Sequence, residues 1–128
     1  MIFGIGTDIV QIARIQKNLD EHGERFAKRI LTEEEFIEYG QKTLKANFLA
    51  KRFAAKEATA KAMGTGFSGG LSLRHIGVSN NDRGKPMLIF SDVAQDFIIE
   101  KKITEHHISL SDEKEYAVAF VTLEHNPD

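Results

Sequence analysis

Three charged side chains stand where charge is costly unless it has work to do: Asp8 in "MIFGIGTDIV", and Glu57 and Lys61 in "RFAAKEATAKAMGTG". On an α-helix Glu57 and Lys61 lie one turn apart on one face, in the order that favours an ion pair. At about 100° per residue Glu57 also falls between Phe53 and Ala54, so its carboxylate borders apolar surface and needs a cation or several donors if drawn into a contact. The simple alternative is a solvated pair worth about 0.2–0.5 kcal/mol. Asp8 likewise reads as either a turn-capping residue or a ligand.

Taken together the two carboxylates suit magnesium. That ion prefers hard oxygen ligands, is often held by one or two carboxylates, and fills its other positions with water and substrate phosphates. Calcium fits less well, because nothing here resembles its dense carboxylate loop. Lys61 beside such a metal would meet a phosphate oxygen. The Gly64-Thr65-Gly66 loop offers backbone N–H groups to a phosphate, or simply ends a helix.

These residues need elements to hold them. "MIFGIGTDIV" alternates with period two, which makes it a strand; Phe3, Ile5, Thr7 and Ile9 share one face, and Gly4 and Gly6 accompany Asp8 on the other. The two glycines are expected to leave open space there for a ligand or another chain. Two short helices follow, interrupted at Gly23. The Thr32-x-x-Glu35 capping box starts a third helix at Glu33, running to about Gly40. The long helix covers roughly Leu44 to Met63, with Gly64 as its left-handed C-terminal residue. Its alanines at 50, 54, 58 and 62 form a small-residue stripe that allows tight packing.

Beyond the "GTGFSGG" loop, "LRHIGVS" and "KPMLIF" flank "NNDRG" as a hairpin. Ser91 is the expected N-cap of a helix from Asp92 to about Lys102. "HHISLS" and "YAVAFVTL" then alternate around "DEKE" as two more strands. The sum is an α+β single domain over residues 1–128, helices packed on a small antiparallel sheet.

With 128 residues, 41% of them hydrophobic, the chain suits one compact domain. Its 17 basic and 19 acidic side chains leave a formal charge of −2, which argues against a nucleic-acid partner. Cysteine is absent, so no disulfide or thiolate metal site is possible. There is neither a membrane-spanning apolar run nor a signal-peptide pattern, so a soluble, cytoplasmic protein without a membrane partner is expected.

"GIGTDIV", "RFAAKEATAKAMGTGF", "GKP" at Gly84 to Pro86 and "HISLS" occur in order along nearly the whole chain. This pattern resembles the holo-acyl-carrier-protein synthase family, the short type of 4′-phosphopantetheinyl transferase. The G-x-D and F-x-x-K-E-A motifs are its most specific elements. The resemblance implies transfer of 4′-phosphopantetheine from coenzyme A to a serine of apo-acyl carrier protein, releasing adenosine 3′,5′-bisphosphate. It implies that Asp8 and Glu57 hold Mg2+ and that Lys61 lies near the pyrophosphate. It places Arg52, Gly64, Thr65, Gly66, Pro86 and His106 where the family contacts coenzyme A, and Arg14 and Arg25 where it docks its acidic carrier protein. It also implies a homotrimer with active sites shared between subunits. The family often has a histidine where this chain has Asp112.

In that chemistry Glu57 and Lys61 are the catalytic candidates. Lys61 would stabilise or protonate the departing phosphate, and the base is either Glu57 acting through water or water alone. Strand alternation sends His106 and His107 to opposite faces, so only one faces any given site. Arg14, Lys17, Arg25, Lys28 and Arg29 form a basic rim that would steer an acidic partner, or an ordinary solvated helix face. Two competing readings stay open: a non-catalytic coenzyme A or nucleotide binding module with a structural metal, and a purely structural oligomer.

Overall fold

The computed structural model describes residues 1–126. Pro127 and Asp128, the end of the expected 1–128 domain, lie outside the described residues. Strand β1 (Ile2–Gln11) leads into helices α1 (Ile12–His22) and α2 (Glu24–Ile30), which part at Gly23, φ 64°. Helix α3 (Glu33–Gly40) follows, then the long α4 (Lys45–Met63), a 3-10 turn (Leu73–His75) and the hairpin of β2 (Ile76–Asn80) and β3 (Pro86–Phe90). Helix α5 (Asp92–Glu100), β4 (Ile103–Asp112) and β5 (Tyr116–His125) complete the chain. The α+β class is as expected, with one correction. The strands form two antiparallel sheets, a three-stranded one ordered β1-β5-β4 and the separate β2-β3 pair.

The frame is β1 laid directly on α4. Ala50, Ala54, Ala58 and Ala62 are all buried, as their spacing requires. Two of them meet the glycines of β1: a Cβ built on Gly4 would stand 1.8 Å from the Ala62 carbonyl oxygen, and one on Gly6 would stand 1.8 Å from that of Ala58. The expected open space above the glycines is therefore filled by the molecule's own helix, backbone against backbone. Only residues without a side chain allow that approach.

The inner face of the large sheet completes the core with Ala117, Ala119, Val121 and Leu123, all fully buried. Each fully buried Val or Leu there contributes about 1.5–3 kcal/mol. Its outer face is bare. Register pairs Ile5 with Thr122, Thr7 with Phe120 and Ile9 with Val118, and Ile9 and Phe120 stay 64% and 47% exposed.

Two local expectations change. "LRH" closes as a 3-10 turn because Ser72 and His75 cap each other: Ser72 Oγ accepts from the Arg74 N–H, and the Ser72 N–H donates to His75 Nδ1 at 3.1 Å. Ser91 occupies the N-cap of α5, but its hydroxyl makes no capping bond and donates instead to the His75 carbonyl at 3.4 Å. Among the described residues no helix is long and apolar enough to cross a membrane.

Candidate active site

The close contact of β1 and α4 sets Asp8 beside the last turns of the helix. Alternation puts Asp8 on the same face as Gly4 and Gly6, and Glu57 lies one residue before Ala58, whose carbonyl Gly6 approaches. Asp8 and Glu57 both line a cleft of about 460 Å³, together with Arg14, Arg29, Phe53 and Leu73. The cleft thus joins an apolar wall to two carboxylates and two guanidinium groups.

Lys61 does not make the simple pair with Glu57 that helix spacing allows. Its ammonium reaches across to β1, donating to Asp8 Oδ1 at 3.0 Å and to the Thr7 carbonyl at 2.9 Å. Burial raises the pKa of Glu57, the negative charge of Asp8 raises it further, and Lys61 opposes both. Two like charges confined to one cleft, with one ammonium already drawn in, form a donor set that suits a hard divalent cation. Asp8 and Glu57 are the residues that would hold it.

The remaining coenzyme A candidates do not line this cleft within one chain. Arg52 is only 4% exposed. Its Nη2 donates to Glu38 Oε1 at 3.5 Å and to Asn80 Oδ1 at 3.2 Å, and its Nε, which has no hydrogen-bond partner, lies 3.7 Å from Glu35 Oε2. Within this chain its guanidinium lies against the carboxylates of Glu35 and Glu38. With Pro86, Lys42, Lys51 and Asp112 it borders a second cavity, of about 450 Å³.

The Gly64-Thr65-Gly66 loop follows α4, with Gly64 left-handed at φ 80°. Of its two readings, helix termination is the one these hydrogen bonds serve: the Gly64 N–H donates to the carbonyls of Ala60 and Lys61, and the Gly66 N–H donates to that of Ala60. Those groups close the helix C-terminus. Thr65 turns its hydroxyl to the Gly66 carbonyl at 2.8 Å.

His106 is the inward histidine. The Leu88 N–H of β3 donates to its Nε2 at 3.1 Å, and its ring meets Phe90 edge-on at 5.8 Å. Burial holds its pKa below the ordinary 6.5, with His107 and Lys85 adding to the fall. Within its own chain His106 therefore ties β4 to β3. His107, with which "HISLS" begins, is the one that faces outward, 2.7 Å from Glu124 Oε2. Parity foretold the separation of the two rings but left open which was inside.

Arg14 and Arg25 are both exposed on α1 and α2, and only Arg14 borders the cleft. Arg29, which sequence reasoning did not single out from the basic cluster, borders it too. Its signal was the helical offset from Phe26 and Ile30, which also line the cleft. Leu73 carried no signal, because its position comes from the capped turn.

The chain is similar to proteins of known kind along most of its length. The family model described as the 4′-phosphopantetheinyl transferase superfamily matches residues 4–121. The holo-[acyl-carrier-protein] synthase of Nitrosospira multiformis is 52% identical over 124 residues, which are 97% of this chain and 99% of the relative. The crystal structure of such a synthase from Neisseria meningitidis matches with a TM-score of 0.92 and 46% identity, over 97% of this chain and 99% of that one. A holo-(acyl-carrier-protein) synthase from Bacillus anthracis in complex with CoA (3′,5′-ADP) matches with a TM-score of 0.82 and 44% identity, over 98% and 99% of the two chains.

Proposed function

This chain belongs to the 4′-phosphopantetheinyl transferase superfamily, and we propose that it transfers 4′-phosphopantetheine from coenzyme A to a serine of apo-acyl carrier protein, releasing adenosine 3′,5′-bisphosphate. The observation that carries this reading is the meeting of Asp8 and Glu57 in one cleft, with Lys61 bonded to Asp8. The serine oxygen forms its bond to the β-phosphorus as the bond from that phosphorus to the departing bisphosphate breaks, and the serine proton passes to a base.

Asp8 and Glu57 would hold a Mg2+, which when bound would supply charge neutralisation on the diphosphate. Lys61, whose side chain is 53% exposed, reaches from α4 to the oxygens that gain charge and stabilises the leaving phosphate. Glu57, with its pKa raised by burial, is the side chain suited to take the serine proton through water. Arg14 at the cleft and Arg25 beyond it form the rim that receives the acidic carrier protein. Arg52, Pro86 and the Gly64-Thr65-Gly66 loop are the proposed coenzyme A contacts. The first two border a different cavity from the carboxylates, which favours sites completed by a second copy.

The bare outer face of β1-β5-β4, with Ile5, Ile9, Val118 and Phe120 exposed, supports a homotrimer in which neighbouring copies cover it. We place the working protein in the cytoplasm. The test is mass spectrometry of apo-acyl carrier protein incubated with this chain, coenzyme A and Mg2+. A phosphopantetheine adduct that vanishes with chelator and with Glu57→Gln is expected. Coenzyme A binding without adduct would refute the enzyme reading.

A further inference from the structure

Lys56 belongs to the F-x-x-K-E-A motif, directly precedes Glu57, and has no part in the chemistry above. Its side chain is fully buried, 0% exposed. The ammonium has three N–H groups and three acceptors: Glu35 Oε1 at 2.7 Å, the Leu73 carbonyl at 3.1 Å and the Ile76 carbonyl. Burial pushes the Lys56 pKa down, and Glu35 pushes it back up.

Glu35 is equally engaged. Its Oε1 also accepts from the Thr32 N–H at 2.9 Å, and its Oε2 accepts from the Val78 N–H at 2.8 Å. One lysine therefore joins α4 to the start of α3, to the 3-10 turn and to the first residue of β2.

A buried ion pair is a poor source of stability, since apolar residues of similar volume usually serve as well. Its location accounts for it better. On one side α4 is pressed against β1 through Gly4 and Gly6 and against β5; on the side towards α3 and β2 it is held by the three bonds of Lys56 and, one turn earlier, by those of Arg52 to Glu38 and Asn80. The apolar part of that packing is non-directional, so the fine rotation of the helix is set by its hydrogen bonds, of which those of Lys56 stand directly beside Glu57. A roll of about 20° at a radius of about 6 Å would carry the Glu57 carboxylate about 2 Å. That is a whole metal–oxygen bond for an ion that demands near-ideal octahedral geometry at about 2.0–2.1 Å. Leu73, whose carbonyl Lys56 binds, lines the same cleft as Glu57, so these bonds also hold part of the cleft's lining.

We infer that Lys56 is a positioning residue: it fixes the rotation of α4, and with it the placement of Glu57 against Asp8 and the width of the cleft at Leu73. The inference rests on the proposed metal site. Lys56→Met alone leaves Glu35 buried without its cation, so the decisive protein is the pair Glu35→Gln/Lys56→Met, which removes both charges. Its comparison is Glu35→Gln alone, which disturbs the same ion pair but keeps the bonds of Lys56 to the two carbonyls.

Both variants are checked for folding by circular dichroism well below their unfolding midpoints, then titrated with Mg2+ in a calorimeter without coenzyme A and assayed for kcat and KM separately. We expect Glu35→Gln to bind Mg2+ within about twofold of the parent. The pair binds it at least about tenfold more weakly, the range seen when groups that orient metal ligands are lost, with a fallen kcat and an unchanged KM for acyl carrier protein. A pair that matches Glu35→Gln in Mg2+ affinity and kcat overturns the assignment of Lys56 while leaving the function intact. A parent that neither binds Mg2+ nor transfers phosphopantetheine overturns the reading of the site, and this inference with it.

Discussion

Lys61 already stands where a metal ion would compete with it. Its ammonium is 3.0 Å from Asp8 Oδ1, so a divalent ion taking that oxygen would compete with it, and a displaced ammonium would be free to meet a phosphate. Replacing Lys61 by Met keeps the length of the side chain and removes the charge. Two unit charges 3.0 Å apart attract by about 1.4 kcal/mol at the dielectric of water and about 5.5 kcal/mol at an effective value of 20. Lys61 is 53% exposed and Asp8 17%, which puts the pair near the solvated end, where coupling energies are about 0.2–1 kcal/mol. Loss of Lys61 also deepens the repulsion between Asp8 and Glu57 that a cation relieves. Lys61→Met is therefore expected to bind Mg2+ about fivefold more tightly than the parent without coenzyme A, equivalent to about 1 kcal/mol. Phosphopantetheine transfer should nevertheless fall by about 10²–10³-fold, the usual cost of one lost donor to developing charge. Calorimetric titration at low and at moderate salt is the assay, and the gain should shrink as salt screens the site. Unchanged or weaker Mg2+ binding in Lys61→Met would show that Lys61 does not compete for Asp8.

Gly6→Ala should destabilise the fold by at least about 3 kcal/mol in denaturant unfolding, because its Cβ has to be accommodated 1.8 Å from the Ala58 carbonyl oxygen; an unaltered midpoint would rule out the close packing of β1 on α4. His106 is held neutral, with its pKa below 6.5 and its Nε2 accepting from Leu88. The unfolded chain therefore takes up this proton first, and stability is lost as pH falls from about 6.5 towards the lower native value. His106→Gln, which accepts without titrating, should flatten that part of the stability–pH curve, and equal slopes would exclude His106 as the cause. Phe120→Glu places a charge in the middle of the exposed sheet face, 47% exposed in the parent, and should yield monomers in sedimentation equilibrium; an undiminished trimer would show that this face is not the interface.

Elements with a local signature were legible in the sequence. The Thr32–Glu35 capping box, Gly64 at the end of α4 and the alternation of β1 each follow from residues a few positions apart, and each is present. The alanine stripe announced tight packing, but nothing local says that Gly4 and Gly6 are what it packs on. A missing side chain looks the same in sequence whether a ligand or a helix fills the space. Lys56 and Lys61 differ little in local context, yet one is sealed in the core and the other reaches another strand, because their partners Glu35 and Asp8 are distant along the chain. For the same reason the ion pairs of Arg52 with Glu35 and Glu38 could not be read from its neighbours in sequence.

The central strand of the three-stranded sheet is β5, and it alone joins β1 to β4, with Asp8 opposite Ala119. A ribosome makes the strand bearing Asp8 first and its hydrogen-bonding neighbour last among the described elements. Helix α4, with Glu57, can coil long before that, but Asp8 has no sheet to anchor it until β5 emerges. Nascent chains halted before Tyr116 should therefore be inert towards divalent ions, and maturation of the site becomes a late event of biosynthesis, governed by closure between distant parts of the polypeptide.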